Sequence, residues 1–373
     1  MTQNAINYTS PEVPIGSMQY FDTYSGSTYP SPNWIKCDGS IVNQSDYPSL
    51  YSSLGLWASP GTVFKTNYNM GLAGGTVLAV GYGNSLYVCA GSSGFVATST
   101  DSVTWTARTS GSTSQLNTTL YSGSLYMIGG NGSALLTSTD GTSWTAQTIG
   151  VSFNVVSSVY ANSLYTIVGS AGNILTSTDA VTWTSRTSST TSQLSAIIYV
   201  SGVYLTGGNG GVMRSSTDSI TWTSVTTGFT SAILCMTYGN GIYVAGGASG
   251  LLATSTNGTT WTTRTSNTTS SILGITYSTA AGKYYFGTSG GLIGFSTDGT
   301  TWTTYLYSQN FNAISCAFTN TDYILLGSSN TFFKSANTYD YNSATQFQLP
   351  RGYVNLIETG NVNLTKTLYI KAK

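Results

Sequence analysis

The sequence predicts an all-β fold, a seven-bladed β-propeller of four-stranded blades, and three observations predict it. The heptapeptide Ser99 to Trp105 returns as Ser138 to Trp144, Ser177 to Trp183, Ser216 to Trp222, Ser255 to Trp261 and Ser296 to Trp302, and in worn form as Ser335 to Tyr341. Successive copies are 39 residues apart, except for one interval of 41 between Trp261 and Trp302. Two further aromatic positions keep the same register, one at Tyr82, Tyr121, Tyr160, Tyr199, Tyr238, Tyr277 and Phe318, the other at Tyr87, Tyr126, Tyr165, Tyr204, Tyr243, Tyr284 and Tyr323. Each unit also reads as four short β-branched and aromatic runs, as in Ala196 to Val200, Gly202 to Thr206, Val212 to Ser216 and Thr221 to Val225.

A fixed period of this size marks supersecondary units that bury an apolar face only by stacking on their neighbours. Four strands and three turns in about 39 residues is the size of one propeller blade. Glycine, serine, threonine and asparagine separate the runs, and no stretch of the repeat has helical spacing. The single interval of 41 comes from two residues inserted between Tyr277 and Tyr284. In the turn Ser296 to Trp302, an Asp side chain can accept from nearby backbone N–H groups and hold a tight hairpin between third and fourth strands. This turn resembles the Asp box of sialidase-like and related propellers, with the Asp-to-Trp spacing one residue shorter. That resemblance speaks to fold alone.

Composition narrows the function. Of 373 residues, 40% are hydrophobic and only 6% charged, with formal net charge zero, against roughly 25% charged in an ordinary soluble domain. A nucleic-acid partner is disfavoured because no basic field exists to displace counterions from phosphates. Membrane insertion is disfavoured because no run of about 18 apolar residues occurs. Cys37, Cys89, Cys235 and Cys316 show no CxxC spacing and read as small buried hydrophobes. With no His and only Glu12 and Glu358 as glutamates, neither a transition-metal site nor a cofactor is expected.

The first 75 residues lack the repeat. They carry Pro14-Ile-Gly-Ser-Met-Gln19, Pro32-Asn-Trp34-Ile-Lys-Cys37-Asp38-Gly39, Tyr47-Pro-Ser-Leu50 and Gly61-Thr-Val-Phe64, and beyond the last repeat come Phe347-Gln-Leu-Pro-Arg351-Gly352 and Tyr369-Ile-Lys-Ala372. These segments resemble a phage tail collar domain split by an insertion. Asn33 stands where that family has Gly before the Trp, and the Asp-x between Pro350 and Arg351 is missing. The implied organisation is an N-terminal segment over 1–13, a first collar half over 14–70, the propeller over 71–345 and a second collar half over 346–373. A closed ring suits such an insertion, because its first and last blades adjoin. Read from the residues alone, Trp34 and Cys37 are core and Asp38-Gly39 is a turn. The resemblance implies a virion tail location, other phage tail proteins as partners and a homotrimer.

Hydrolase chemistry finds little support. Arg108, Arg186 and Arg264 occupy one position in alternate repeats and so cannot converge. The Asp residues of the repeat are spread around the ring at Asp101, Asp140, Asp179, Asp218 and Asp298, whereas glycoside hydrolysis needs two facing carboxylates. The chain is therefore expected not to be an enzyme. Binding is better supported. The loops between one blade's fourth strand and the next blade's first differ most among repeats, and three carry extra aromatics: Phe153, Phe229, and Tyr305, Tyr307 and Phe311 beside Asn310. Aromatic faces among uncharged hydrogen-bonding groups suit sugars. The same rings could instead pack against neighbouring loops. The expectation is a phage tail fibre or tail-tip protein whose propeller adheres to a host cell-surface glycan or protein. A structural tail adaptor or decoration protein is the alternative.

Overall fold

The computed structural model describes residues 75–306 apart from 103 and 280–281, and outside that span the strands alone. Two compact units emerge, 64–337 and a second made of 1–63 with 338–373.

The larger unit corrects the blade count: six blades, not seven, are built each from one repeat. Each is a four-stranded antiparallel sheet of consecutive strands, the first being Val77–Gly83, Leu86–Gly91, Val96–Ser99 and Thr106–Arg108. The others span 116–146, 155–186, 194–224, 233–263 and 272–306. The last repeat forms no blade of its own. It supplies three strands, Ala313–Phe318, Asp322–Gly327 and Thr331–Ala336, and the fourth place in their sheet is taken by Phe64–Asn69, from ahead of the first repeat. The copy Ser335 to Tyr341 is the worn one, with Asn337 in the Asp position and Tyr341 in the Trp position. Ala313–Phe318 packs against the first strands of both blade six and blade one, so the ring shuts through this composite sheet.

Local chemistry fixes each blade. The first hairpin turns through Asn84 and Ser85 at φ 48° and 59°, the doubly left-handed geometry that matches strand twist. It places Tyr82 opposite Tyr87, ring centroids 4.6 Å apart. Every first strand carries a register shift near its start, as between Val77 and Ala79, which bends it around the axis. The glycine ending most second strands answers a close approach: a Cβ at Gly208 would lie 1.9 Å from the Gln193 carbonyl oxygen.

Blades are joined by buried apolar side chains from facing sheets and by tyrosine. Tyr126 Oη donates to the Gly83 carbonyl at 2.6 Å, Tyr204 to that of Ala161 at 2.9 Å and Tyr165 to Ser122 Oγ at 2.8 Å, each reaching the preceding blade. Tyr284 does the same to Gly239.

The turn before the Trp is held by an Asp side chain in five of the six blades. Asp179 Oδ1 accepts from the backbone N–H of Thr182 at 2.7 Å and of Val181 at 2.9 Å, and from Ser177 Oγ at 2.8 Å. Asn257 holds the blade-five turn in the same way. These N–H groups, Thr182 first for Asp179 and Thr221 first for Asp218, lower both carboxyls to about 2. Hydrogen bonds to the ionised form have this sign. In the unfolded chain an Asp titrates near 3.9. The turns' contribution to stability is thus complete above about pH 4 and is lost as pH falls toward about 2. Thermal melts across that window should show a falling midpoint, with a smaller fall in the double variant Asp179→Asn, Asp218→Asn; an equal fall would count against this role.

In the smaller unit the two chain ends pair. Met18–Asp22, Trp34–Lys36 and Tyr353–Leu356 all pair antiparallel with Leu364–Lys371, and Ile41–Asn43 pairs with Gln346–Gln348.

Candidate binding face

In blades one to five the loop leaving the fourth strand meets the short turn between second and third strands of the same blade. Gly94 N–H donates to the Ser114 carbonyl at 2.7 Å, Ser133 N–H to Phe153 at 2.9 Å, and Ser110 Oγ to Gly94 at 2.6 Å. The first strand's approach is tied in the same way, Asn131 to Gln115 at 2.8 Å and Asn209 to Gln193 at 2.9 Å. The face these loops form is therefore pinned through its backbone, a preformed surface whose ordering cost is met on folding.

Of the expected aromatics, the two whose side chains are described, Phe153 and Phe229, do not stand open on that face. Phe153 is 5% exposed and sits in the core between blades two and three with Val155 and Leu175. It is a plug and not an open platform. Phe229 is half-buried, packs into the core between blades four and five and meets Trp261 edge-on at 6.3 Å. Tyr305 lies in the last strand of blade six, Thr303–Leu306. Tyr307, Asn310 and Phe311 lie outside the described residues. An aromatic in a loop that closes over a blade gains more by burial than by exposure.

The arginines act locally. Arg108, Arg186 and Arg264 each donate from Nε at 2.8 Å to a threonine on the adjoining strand, Thr98, Thr176 and Thr254. They serve three separate blades. Among the described residues no group of three or more His, Cys, Asp or Glu could hold a metal, and no helix is long and apolar enough to cross a membrane. Neither Cys89 nor Cys235 is in a disulfide; burial pushes the Cys89 thiol up, and Cys235 Sγ donates to the Ile272 carbonyl at 3.6 Å.

Sequence reasoning missed a cavity of about 350 Å³ between blades four and five, beside the turns at Thr217 and Asn257. The signal was present as departures from the repeat. Val203 stands where blades one to three have Leu, Ser215 where four other blades have Thr, and Val225 where three have Arg.

Comparison with known proteins agrees with this architecture. The phage tail collar domain family matches residues 23–57, and the DUF6242 beta propeller domain family matches residues 72–194. No curated protein matches the sequence. Among solved structures, YCF48 bound to D1 peptide is similar at TM-score 0.64 and 16% identity, over 76% of this chain and 98% of that one. YCF48 from Cyanidioschyzon merolae is similar at TM-score 0.60 and 16% identity, over 72% and 98%. The WD40 beta propeller domain of Doa1 is similar at TM-score 0.60 and 13% identity, over 74% and 99%. At such identities the likeness is one of fold. The chain thus carries a segment similar to the phage tail collar domain, 23–57, and a β-propeller unit, 64–337, that in sequence separates the two parts of the smaller unit.

Proposed function

We propose that this protein is a tail fibre or tail-tip component that adheres to the host cell surface through its propeller, while the collar unit associates with other tail proteins and forms a homotrimer. The observation that carries the reading is the match of residues 23–57 to the phage tail collar domain. The propeller supports it as a preformed, charge-poor surface rich in hydroxyl, amide and phenol groups, suited to an uncharged or weakly charged receptor such as a glycan. Catalysis is no part of the reading. Asp140 and Asp298 are held well below the usual carboxylate range by backbone N–H groups, so neither is poised to deliver a proton at neutral pH.

The test is competition. Saturating susceptible cells with the purified full-length chain should slow adsorption of the phage that carries it. Undiminished adsorption, with no chain retained on the cells, would remove the proposal.

A further inference from the structure

The cleft between blades four and five differs from the other blade junctions in a concerted way. At the junction of blades one and two, Leu86 fills the space over Gly141, its Cδ2 only 2.6 Å from where a Cβ there would stand. Ile242 covers Gly299 at the junction of blades five and six. At the junction of blades two and three, Leu125 packs with Ala180 in one core. Here the pair is Val203 with Gly258, the smallest combination of the set. The neighbouring wall is cut back as well. Thr98, Thr137, Thr176 and Thr254 are 2%, 7%, 2% and 4% exposed, whereas Ser215, their counterpart in blade four, is partly open. The arginine that clamps Thr98, Thr176 and Thr254 is replaced in blade four by Val225, turned into the core. Together these changes open about 350 Å³, at the lower end of the roughly 300–1,000 Å³ usual for small-ligand pockets.

A second observation points to a ligand. Tyr126, Tyr165, Tyr204 and Tyr284 each donate their hydroxyl to the preceding blade. Tyr243 keeps the ring contacts of the series, 4.7 Å to Tyr238 and 6.5 Å to Trp261. It is only 7% exposed, yet among the described residues its hydroxyl has no hydrogen-bond partner, and the residue lines the cavity. Its oxygen is not one of the fully buried unpaired side-chain atoms, so it stays open at the cavity as an uncommitted donor and acceptor that a polar ligand can engage. Asn257 lines the cavity too. Its Oδ1 is committed to the backbone N–H groups of Thr259 at 2.9 Å and Thr260 at 2.8 Å, leaving its amide N–H₂ as a donor where most other blades carry a carboxylate. Ser215, Ser216 and Thr223 add hydroxyls, and Val203 adds an apolar wall. No charged residue lines the site.

The geometry points to a site for one neutral pyranose ring of a polysaccharide, its hydroxyls meeting Tyr243 Oη, Asn257 Nδ2 and the serine and threonine hydroxyls, and its C–H face resting on Val203. This deepens the adhesion reading and rests on it for the source of the sugar. Charge-free lining with convergent donors and acceptors selects uncharged sugars over uronates, because a carboxylate entering here would find no cation to offset its desolvation.

The experiment is saturation-transfer NMR and titration of the full-length chain with methyl glycosides of glucose, galactose, mannose, N-acetylglucosamine and rhamnose at millimolar concentration, with methyl glucuronide as the charged comparison. At least one neutral glycoside should bind, and more tightly than the glucuronide. Tyr243→Phe should weaken binding about tenfold, as expected for one lost hydrogen bond, without loss of folding because the hydroxyl holds no protein group. Val203→Leu, which restores the pairing seen at Leu86 and Gly141, should weaken it as well. Absence of binding by every neutral glycoside, or binding by both variants as tight as that of the unaltered chain, overturns the site. Cell adhesion by the same protein would then leave the adhesion reading standing. Conversely, variant-sensitive glycoside binding without cell adhesion upholds the site and counts against that reading.

Discussion

Placing prolines at Lys65 and Tyr68 should lower the melting temperature of the whole propeller by roughly 10 °C. Both residues lie in the strand Phe64–Asn69, where Lys65 pairs with Lys334 and Tyr68 with Phe332. This strand completes the sheet of the last repeat and leads directly into blade one, so it ties the two ends of the ring. Proline removes the ladder donor and bends the strand. Losing the strand's pairings at about 1 kcal/mol each costs about 4 kcal/mol, a shift of roughly 10 °C at this size. It also exposes the edge of Thr331–Ala336, an invitation to strand addition by another chain. Lys65→Pro, Tyr68→Pro should therefore also raise the aggregated fraction on heating. An unchanged melting temperature would mean that the ring is shut by packing of Ala313–Phe318 alone.

Tyr284→Ala should cost about 3–5 kcal/mol, as for other large buried aromatics. Tyr284 is fully buried, its centroid 6.3 Å from Trp302, and it donates to the Gly239 carbonyl across the blade junction. Burial, the first cause, and the neighbouring Tyr277 push its phenol well above the ordinary value. It therefore stays protonated and donating through the physiological range. Tyr284→Phe separates the two contributions, with about 1 kcal/mol for the hydrogen bond and the remainder for ring packing. Urea unfolding measures both. If the phenylalanine variant were as unstable as the alanine one, the hydrogen bond and not the packing would be what joins blades five and six.

Much of the fold was legible because a repeat makes its rules visible. The paired tyrosines, the acidic turn and the glycine after the second strand each recur for a reason that a single position states: Tyr82 opposite Tyr87, Asp179 over two N–H groups, Gly208 against a carbonyl. What the repeat hid was the exception. Phe-Lys-Thr-Asn-Tyr-Asn has the alternation of a strand, but its partner lies more than 250 residues away in sequence, and no local signal announces that pairing.

The site was harder to read, since variability in a loop does not say whether an extra aromatic turns inward or outward. Phe153 turned inward because a buried ring contributes hydrophobic stabilisation that an exposed one does not. The cleft beside Tyr243 is a subtraction. It arises from a missing methylene at Val203, a missing methyl at Ser215 and a missing guanidinium at Val225, and such losses acquire meaning only when the blades face one another.

The measurement that bears most directly on the adhesion account is the adsorption rate of a phage whose copy of this protein lacks residues 72–337, the collar segments being joined by a short linker. The account predicts assembled particles that carry the shortened protein and fail to adsorb. Particles that adsorb at the parental rate, or that do not assemble at all, would contradict it, the second result making the propeller a structural part of the tail.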